Sequence, residues 1–241
     1  MKKAANQIIS ETKNSNVFDF VVDLSVQKEI KDFITIFGQN YDKLDILVNN
    51  AGVNLPSRVI TSEGIEYVFA VNHMAPFILT TSLLNRMKNQ SQAQIINIAS
   101  NGERYAKFDL NNLQGEKKYN GTKHYCLTKL CNLMFTYELA RRLTGHEITC
   151  NAIHPGGVRT GIMKSYKSLS LPSIVWKFLY PTLQNPDDVA EYILNLYQKG
   201  AFKNENGKYF FKEQMVASSN LSYHVDYARK IWEISENLVV V

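Results

Sequence analysis

The sequence has 241 residues, of which 45% are apolar and 20% are charged, and these values fit one globular domain rather than a disordered or fibrous chain. The net charge of +5 comes from basic residues scattered along the whole chain, so we expect no nucleic-acid partner. No apolar run reaches the roughly 18 residues that a membrane span needs, so we expect no transmembrane segment in this chain.

Helical and strand-like segments alternate from the start of the chain. A polar helix at about residues 2–12 precedes residues 17–23, a β-branched and aromatic run of strand length. The next helix is expected to open at Ser25 and to end at Gly38, because its apolar residues recur with a helical period. A short, continuously apolar strand is predicted at residues 44–48.

The same alternation continues to the end of the chain. Helices are predicted at about residues 63–89 and 123–143. A further helix is capped by Asn185, and the last helix runs through Trp232. Strands are predicted at residues 94–100, 147–153 and 207–211. Long helices between strands form crossovers that require a parallel sheet with helices on both faces. The predicted fold class is therefore α/β, a doubly wound parallel sheet of the Rossmann-like kind.

Candidate functional residues follow the predicted strands. In an open parallel sheet, ligands bind beyond the carboxyl ends of the strands, so polar and small residues at these points are the first candidates. Such residues are Asp23 with Leu24, Asn50-Ala51-Gly52, Ser100, and Pro155-Gly156 with Val158 and Thr160.

A Tyr-x-x-x-Lys pair follows the strand that ends at Ser100. Tyr125 and Lys129 lie four residues apart and therefore on one face of the predicted helix. Tyr119 and Lys123 have the same spacing, but Gly121 between them makes that segment a poor helix interior. Tyr125 is therefore the preferred member of the two.

Together these motifs resemble the short-chain dehydrogenase/reductase family, with each motif in the family's order over nearly the whole chain. Residues 112–117, 138–143 and 232–235 look specifically like the retinol dehydrogenase branch, as does the 25-residue separation of Ser100 from Tyr125. The resemblance implies hydride transfer between an alcohol and a carbonyl compound, with NADP(H) or NAD(H) as cofactor.

The resemblance also implies roles for the catalytic candidates. Tyr125 would be the general acid/base, and Lys129 would stabilise its anion and grip the nicotinamide ribose. A phenol titrates near 10, so a base that works near neutral pH needs its anion stabilised by about 4 kcal/mol. Ser100 would hydrogen-bond the substrate oxygen, and Asn72 would organise a proton-relay water.

The remaining candidates would contact the cofactor. Asp23 and Leu24 would meet the adenine, and Val158 and Thr160 would meet the nicotinamide carboxamide. The cofactor-binding set is completed by Asn50, Ala51, Gly52, Pro155 and Gly156, together with Tyr125 and Lys129.

The histidine and cysteine residues suggest no metal site. His73, His124 and His154 lack a metal-ligand spacing and are expected to be structural or rim residues. The three cysteines, Cys126, Cys131 and Cys150, have no C-x-x-C spacing and are expected to be reduced core thiols of an intracellular protein.

The family's T-G-x-x-x-G-I-G motif is absent, and the first glycine of the chain is Gly38. By resemblance the chain begins just after the family's second strand, so we expect residues 1–241 to be one N-terminally truncated domain that lacks the first βαβ unit. Residues 17–23 and 46–48 would then be strands with unpaired edges.

Two interpretations follow from this missing motif. One is an active reductase whose parent protein has the missing unit, and the alternative is a non-catalytic fragment that binds or regulates a full-length relative. A missing N-terminal anchor would place the protein at the endoplasmic reticulum membrane, and otherwise we expect it in the cytoplasm.

An apolar stretch at residues 162–180 lies where the family folds a lid over its substrate. It suggests a small lipophilic alcohol, aldehyde or ketone as substrate. The alternative, that these residues pack as core or as the interface of a homo-oligomer, stays open.

Overall fold

The computed structural model describes residues 2–88, 92–162, 165 and 180–240 and contains a five-stranded sheet whose strands lie side by side in chain order. The first four strands are parallel, and the fifth pairs antiparallel with the fourth. The strands are β1 (Ile46–Asn49), β2 (Ala93–Ile98), β3 (Ile148–His154), β4 (Tyr209–Phe211) and β5 (Gln214–Met215).

Helices connect the strands. They are α1 (Lys2–Thr12), α2 (Gln27–Asn40), α3 (Tyr67–Met87), α4 (Gly121–Arg142), α5 (Pro186–Gln198), α6 (Ala201–Asn204) and α7 (Val225–Leu238). Helix α3 contains a π-helical turn at Ala70–Met74. Short 3-10 turns lie at Asn101–Tyr105, Leu110–Asn112, Tyr180–Thr182 and Asn220–Tyr223.

The sheet is covered on both faces. Ile95 of β2 packs with α2, α3, α4 and α7 in one core cluster, whereas the adjacent Ile96 packs with α5 and α6 in another. Because successive side chains of a strand point to opposite faces, these two clusters lie on opposite sides of the sheet. The doubly wound α/β prediction is therefore confirmed, apart from the antiparallel β5, which the sequence analysis did not predict.

Residues 17–23 are not a strand, contrary to the prediction. The structure gives them no sheet pairing, and Phe18 and Val21 are 65% and 71% exposed. A strand needs a neighbour for its backbone hydrogen bonds, and within the described ranges none lies beside this segment. β1 is an edge strand of the sheet, and its Val48 is 47% exposed.

The predicted ends of α2 also shift. The Asp23 carboxylate accepts hydrogen bonds from the backbone and the hydroxyl of Ser25, so Ser25 lies in a turn before the helix, which begins at Gln27. Gly38 does not end α2 but lies inside it against Arg86, where a Cβ would come within 2.0 Å of the guanidinium. The short helix α6 was not predicted.

Helix α3 is long and apolar enough to pass a length-and-composition test for a membrane span. However, 72% of its most apolar window is buried inside the structure, and core helices of soluble proteins pass the same test. Among the described helices, α3 alone meets the criterion.

Candidate active site

A cavity of about 1520 Å³ opens at the carboxyl ends of β1, β2 and β3. It lies where an open parallel sheet binds ligands. The structure brings ten of the predicted site residues together in its lining: Asn50, Ala51, Gly52, Ser100, Tyr125, Lys129, Pro155, Gly156, Val158 and Thr160.

Tyr125 and Ser100 face each other across this cavity wall. Burial raises the pKa of Tyr125 to about 12, and a hydrogen bond with Ser100 acts in the opposite direction. The Ser100 hydroxyl also accepts a hydrogen bond from the backbone of Gly102 at 3.1 Å, which fixes Ser100 at the start of a 3-10 turn. The phenol is therefore neutral at physiological pH and able to donate a proton.

Lys129 lies one turn of α4 beyond Tyr125. Its Nζ donates a hydrogen bond to the backbone carbonyl of Ile98 at 2.8 Å and lies 5.7 Å from the centre of the Tyr125 ring. The side chain is only 3% exposed, and burial lowers its pKa to about 8. An ammonium held by the end of β2 thus lies beside the phenol.

Asn72 lies in the π-helical turn of α3, directly behind the cavity wall. Its side-chain oxygen accepts from the backbone of Val53 at 2.8 Å, and its side-chain nitrogen donates to the Val53 carbonyl at 2.9 Å. A Cβ on Gly52 would lie 3.6 Å from both the Asn72 oxygen and the Lys129 ammonium. Gly52 therefore leaves the approach to both groups open.

Asn132, which the sequence analysis missed, holds this turn from α4. Its side-chain nitrogen donates to the backbone carbonyl of Asn72 at 2.8 Å, so its oxygen faces Nδ1 of His73 at 3.2 Å. Burial lowers the pKa of His73 to about 4. Nε2 of the neutral ring lies 2.8 Å from the Ser235 hydroxyl. Contacts between such distant residues leave no local signal in the sequence.

Gln184 is a second residue that the sequence analysis missed. Its side-chain nitrogen donates to the Pro155 carbonyl at 2.9 Å, and its backbone pairs with Gly157. Gly156 has a φ of +82°, and a Cβ there would lie 2.3 Å from the Gln184 nitrogen. The turn after β3 therefore needs glycine for both its conformation and the close approach of Gln184.

Besides Asn72, which lies behind the wall, two predicted residues lie outside the cavity lining. The Asp23 carboxylate is engaged by Ser25, and these hydrogen bonds lower its pKa. Leu24 packs against the larger core cluster. The structure thus does not join Asp23 and Leu24 to the other candidates.

The predicted lid falls mostly on residues 163–164 and 166–179, which lie outside the described residues. Within the described part of the chain, Ile162 and Ser165 line the cavity, and Tyr180 is 44% exposed.

Known proteins are similar to this chain over most of its length. Residues 1–169 match the sequence profile of the short chain dehydrogenase family. Retinol dehydrogenase 12 of Bos taurus is 35% identical over 238 residues, which cover 99% of this chain and 74% of that protein.

Two solved structures share the fold. A protein of Mycobacterium paratuberculosis has a TM-score of 0.66 at 23% identity, over 95% of this chain and 80% of that one. An NADPH-bound carbonyl reductase from chicken fatty liver has a TM-score of 0.62 at 21% identity, over 91% and 84% of the two chains. The match to the family profile and the similarity to retinol dehydrogenase 12 show that this chain belongs to the short-chain dehydrogenase family of NAD(P)-dependent oxidoreductases.

Proposed function

We propose that this cavity transfers a hydride between a nicotinamide cofactor, NADP(H) or NAD(H), and a lipophilic alcohol or carbonyl compound of the retinoid type. The observation that carries the proposal is the meeting of Ser100, Tyr125 and Lys129 on one wall of a largely apolar cavity. The similarity to retinol dehydrogenases supports the substrate class.

In the reducing direction, the residues of this chain supply the proton. Ser100 and Tyr125 would hold the substrate carbonyl oxygen by two hydrogen bonds, and the Tyr125 hydroxyl would pass its proton to that oxygen. The bound cofactor would supply the hydride. The Lys129 ammonium, 5.7 Å from the ring centre, would stabilise the phenolate that Tyr125 becomes.

The proton on Tyr125 must then be replaced. Lys129 has a pKa of about 8, and its Nζ and the Asn72 side-chain oxygen would each lie 3.6 Å from a Cβ on Gly52. Lys129 is therefore a suitable proton carrier between the phenol and the polar groups behind the wall. Val53 bonds to the side chain of Asn72, and Asn132 bonds to its backbone carbonyl. These two bonds would fix Asn72 for a relay role.

The cavity fits the nicotinamide end of the cofactor. The space in front of Gly52 would leave room for a planar ring beside Lys129, and the backbone around Val158 and Thr160 would offer polar groups to a carboxamide. This sequence has no glycine loop of the kind that binds the pyrophosphate in the family. Its first glycine, Gly38, lies inside α2 and packs against Arg86.

The lining supports a lipophilic substrate. Its apolar members include Val53, Val71, Ile98 and Ile162, and the exposed ring of Tyr105 lies at the rim. Apolar walls with a few polar groups at one point are typical of sites that bind small hydrophobic molecules.

The test is a series of aldehydes of increasing apolar length, from acetaldehyde to retinal, with consumption of NADPH or NADH measured by absorbance. We expect kcat/KM to rise with apolar length by about tenfold or more, since each buried methylene adds about 0.8 kcal/mol of binding. A flat or inverted series would contradict the lipophilic substrate, and no consumption with any aldehyde would contradict the catalytic proposal.

A second candidate function is that of a non-catalytic protein that binds or regulates a related dehydrogenase. It is favoured by the exposed apolar residues Phe18, Val21 and Val48, which lie in the segment at residues 17–23 and on the sheet edge β1. A chain that consumes no cofactor but co-elutes with a retinol dehydrogenase and changes its kcat would support this candidate.

We place the activity inside the cell. The three cysteines are free and buried, as expected for thiols in a reducing compartment.

A further inference from the structure

The carboxylate of Glu66, at the start of α3, is fully buried and has no part in the mechanism above. One oxygen accepts from the backbone of Phe69 and from Nε2 of His124, both at 2.7 Å. The other oxygen accepts from the Tyr119 hydroxyl at 3.1 Å. A buried carboxylate is costly unless it is paired and hydrogen-bonded, so these partners explain how it is tolerated.

Two of these contacts lead to walls of the cavity. The bond to Phe69 fixes the first turn of α3, which leads into the π-helical turn with Val71 in the cavity lining and Asn72 behind it. The bond to His124 fixes the first turn of α4, one residue before Tyr125.

The third contact leads to the loop after β1. The Tyr119 hydroxyl lies 3.4 Å from the carbonyl of Leu55, which follows the cavity-lining residues 50–54. Tyr119 is the tyrosine of the second Tyr-x-x-x-Lys motif. In the structure this tyrosine bonds to the buried Glu66 carboxylate and does not line the cavity.

A further hydrogen bond joins Glu66 to the segment at residues 110–120. The backbone of Glu66 donates to the side-chain oxygen of Gln114 at 2.9 Å, and the carbonyl of Gln114 accepts from Arg58 at 2.8 Å. Three cavity-lining elements therefore converge on one residue that does not itself line the cavity.

We infer that Glu66 is a positioning residue, which fixes the distance between the turn that carries Asn72 and the helix that carries Tyr125 and Lys129. This inference rests on the proposed function for its effect on rate. Its effect on the structure of the three walls is independent of that function. Displacement of reacting groups by about 1 Å lowers a rate by up to about 100-fold, so a loosened Glu66 contact is expected to reduce kcat.

The experiment compares Glu66→Leu and Glu66→Gln with Glu138→Leu as a matched control. Glu138 is another buried carboxylate with two ion pairs, to Arg141 and Arg142, but it lies roughly 20 Å along α4 from Tyr125 at 1.5 Å per residue. The readouts are kcat and KM per folded molecule, and amide hydrogen exchange at residues 53–55 and 122–125.

For Glu66→Leu we expect kcat to fall by about tenfold or more, with KM for the aldehyde within about threefold of the original. Glu66→Gln is expected to restore kcat to within about threefold, because the amide oxygen still accepts from Phe69 and His124. Exchange at both segments is expected to be about tenfold faster in Glu66→Leu than in Glu138→Leu.

Unchanged kcat in Glu66→Leu, or an equal loss in Glu138→Leu, would overturn the inference. If the unsubstituted protein consumes no cofactor, the proposed function fails, and the exchange rates alone decide whether Glu66 holds the three walls. If Glu66→Leu does not fold, Tyr119→Phe replaces it. We then expect kcat to fall by about threefold or more relative to Tyr137→Phe, and equal rates would overturn the inference.

Discussion

The ammonium of Lys129 lies 5.7 Å from the centre of the Tyr125 ring, and burial moves the pKa values of the two groups in opposite directions. The pKa of Tyr125 is raised to about 12 and that of Lys129 is lowered to about 8. The proposed role as a base near neutral pH predicts a lowered pKa for Tyr125, but burial moves it in the opposite direction. The phenol therefore stays protonated near pH 7, as the proposed carbonyl reduction requires of its proton donor.

The first prediction concerns the pH dependence of this reduction. Lys129 loses its proton as the pH rises through about 8, whereas Tyr125 keeps its proton up to about 12. We therefore expect kcat for reduction to be constant below this range and to fall as the pH rises through about 8, because the charge that stabilises the phenolate is lost. Circular dichroism over the same range serves as the control for unfolding. A profile without an inflection between pH 7 and pH 9 would contradict the role of Lys129.

The second prediction tests the acid. Tyr125→Phe is expected to lower kcat by about 100-fold or more, because it removes the group that passes the proton to the substrate. Tyr137→Phe is the matched control, since it removes another buried hydroxyl of the same helix, one that bonds to Ser218 at 2.7 Å. The control should lose about 1 kcal/mol of stability and keep its kcat. Rates are measured with saturating cofactor, and equal losses in the two variants would rule out a special role for Tyr125.

The third prediction concerns the destabilising effect of the buried Lys129 charge. Its pKa is about 8 in the folded protein, below its ordinary value of 10.5. The buried charge therefore destabilises the fold fully below about pH 8, and this cost disappears as the pH rises to 10.5. At pH 7 we expect Lys129→Met to raise the free energy of unfolding by about 2 kcal/mol, after allowance for the lost hydrogen bond to Ile98.

The gain should shrink as the pH rises from about 8 to 10.5, where the lysine of the unfolded chain also loses its proton. Urea denaturation at pH 7 and at pH 10 measures the two values. A variant that is less stable than the original protein at pH 7 would show that the hydrogen bond outweighs the burial of the charge.

Local sequence patterns predicted the helices and the order of the site residues well. Leu127, Leu130 and Met134 recur with a helical spacing in α4. Ser100 comes shortly after β2, and Tyr125 lies near the start of α4 with Lys129 one turn further on. Residues 17–23 have the composition of a strand, but a strand depends on its partner as well as on its own residues. Composition alone was therefore insufficient for this segment.

The supporting contacts of the site were not predictable in the same way. Asn132 bonds to a carbonyl 60 residues earlier in the chain, and Glu66 bonds to a histidine 58 residues later. Such contacts depend on how the helices pack against each other, and the single sequence carries no spacing that shows them. The pKa of Tyr125 was missed for the same reason, because burial is a property of the packed structure.

The last prediction uses two glycines with nearly the same backbone. Gly156 and Gly145 have φ values of +82° and +89°, so alanine at either position costs about 1 kcal/mol in backbone strain. A Cβ at position 145 meets nothing within 4 Å, whereas one at position 156 would lie 2.3 Å from the Gln184 nitrogen. Gly156→Ala should therefore also break the bond from Gln184 to Pro155 and lose about 1–3 kcal/mol more than Gly145→Ala.

Urea denaturation of the two variants measures this difference in stability. Titration with NADPH measures cofactor binding by the turn that contains Gly156, Val158 and Thr160. We expect Gly145→Ala to bind NADPH as the original protein does and Gly156→Ala to bind it more weakly, because the turn after β3 lines the cavity. Equal stability of the two variants would mean that Gln184 moves aside without cost, and the close packing of this turn would then not be required for its conformation.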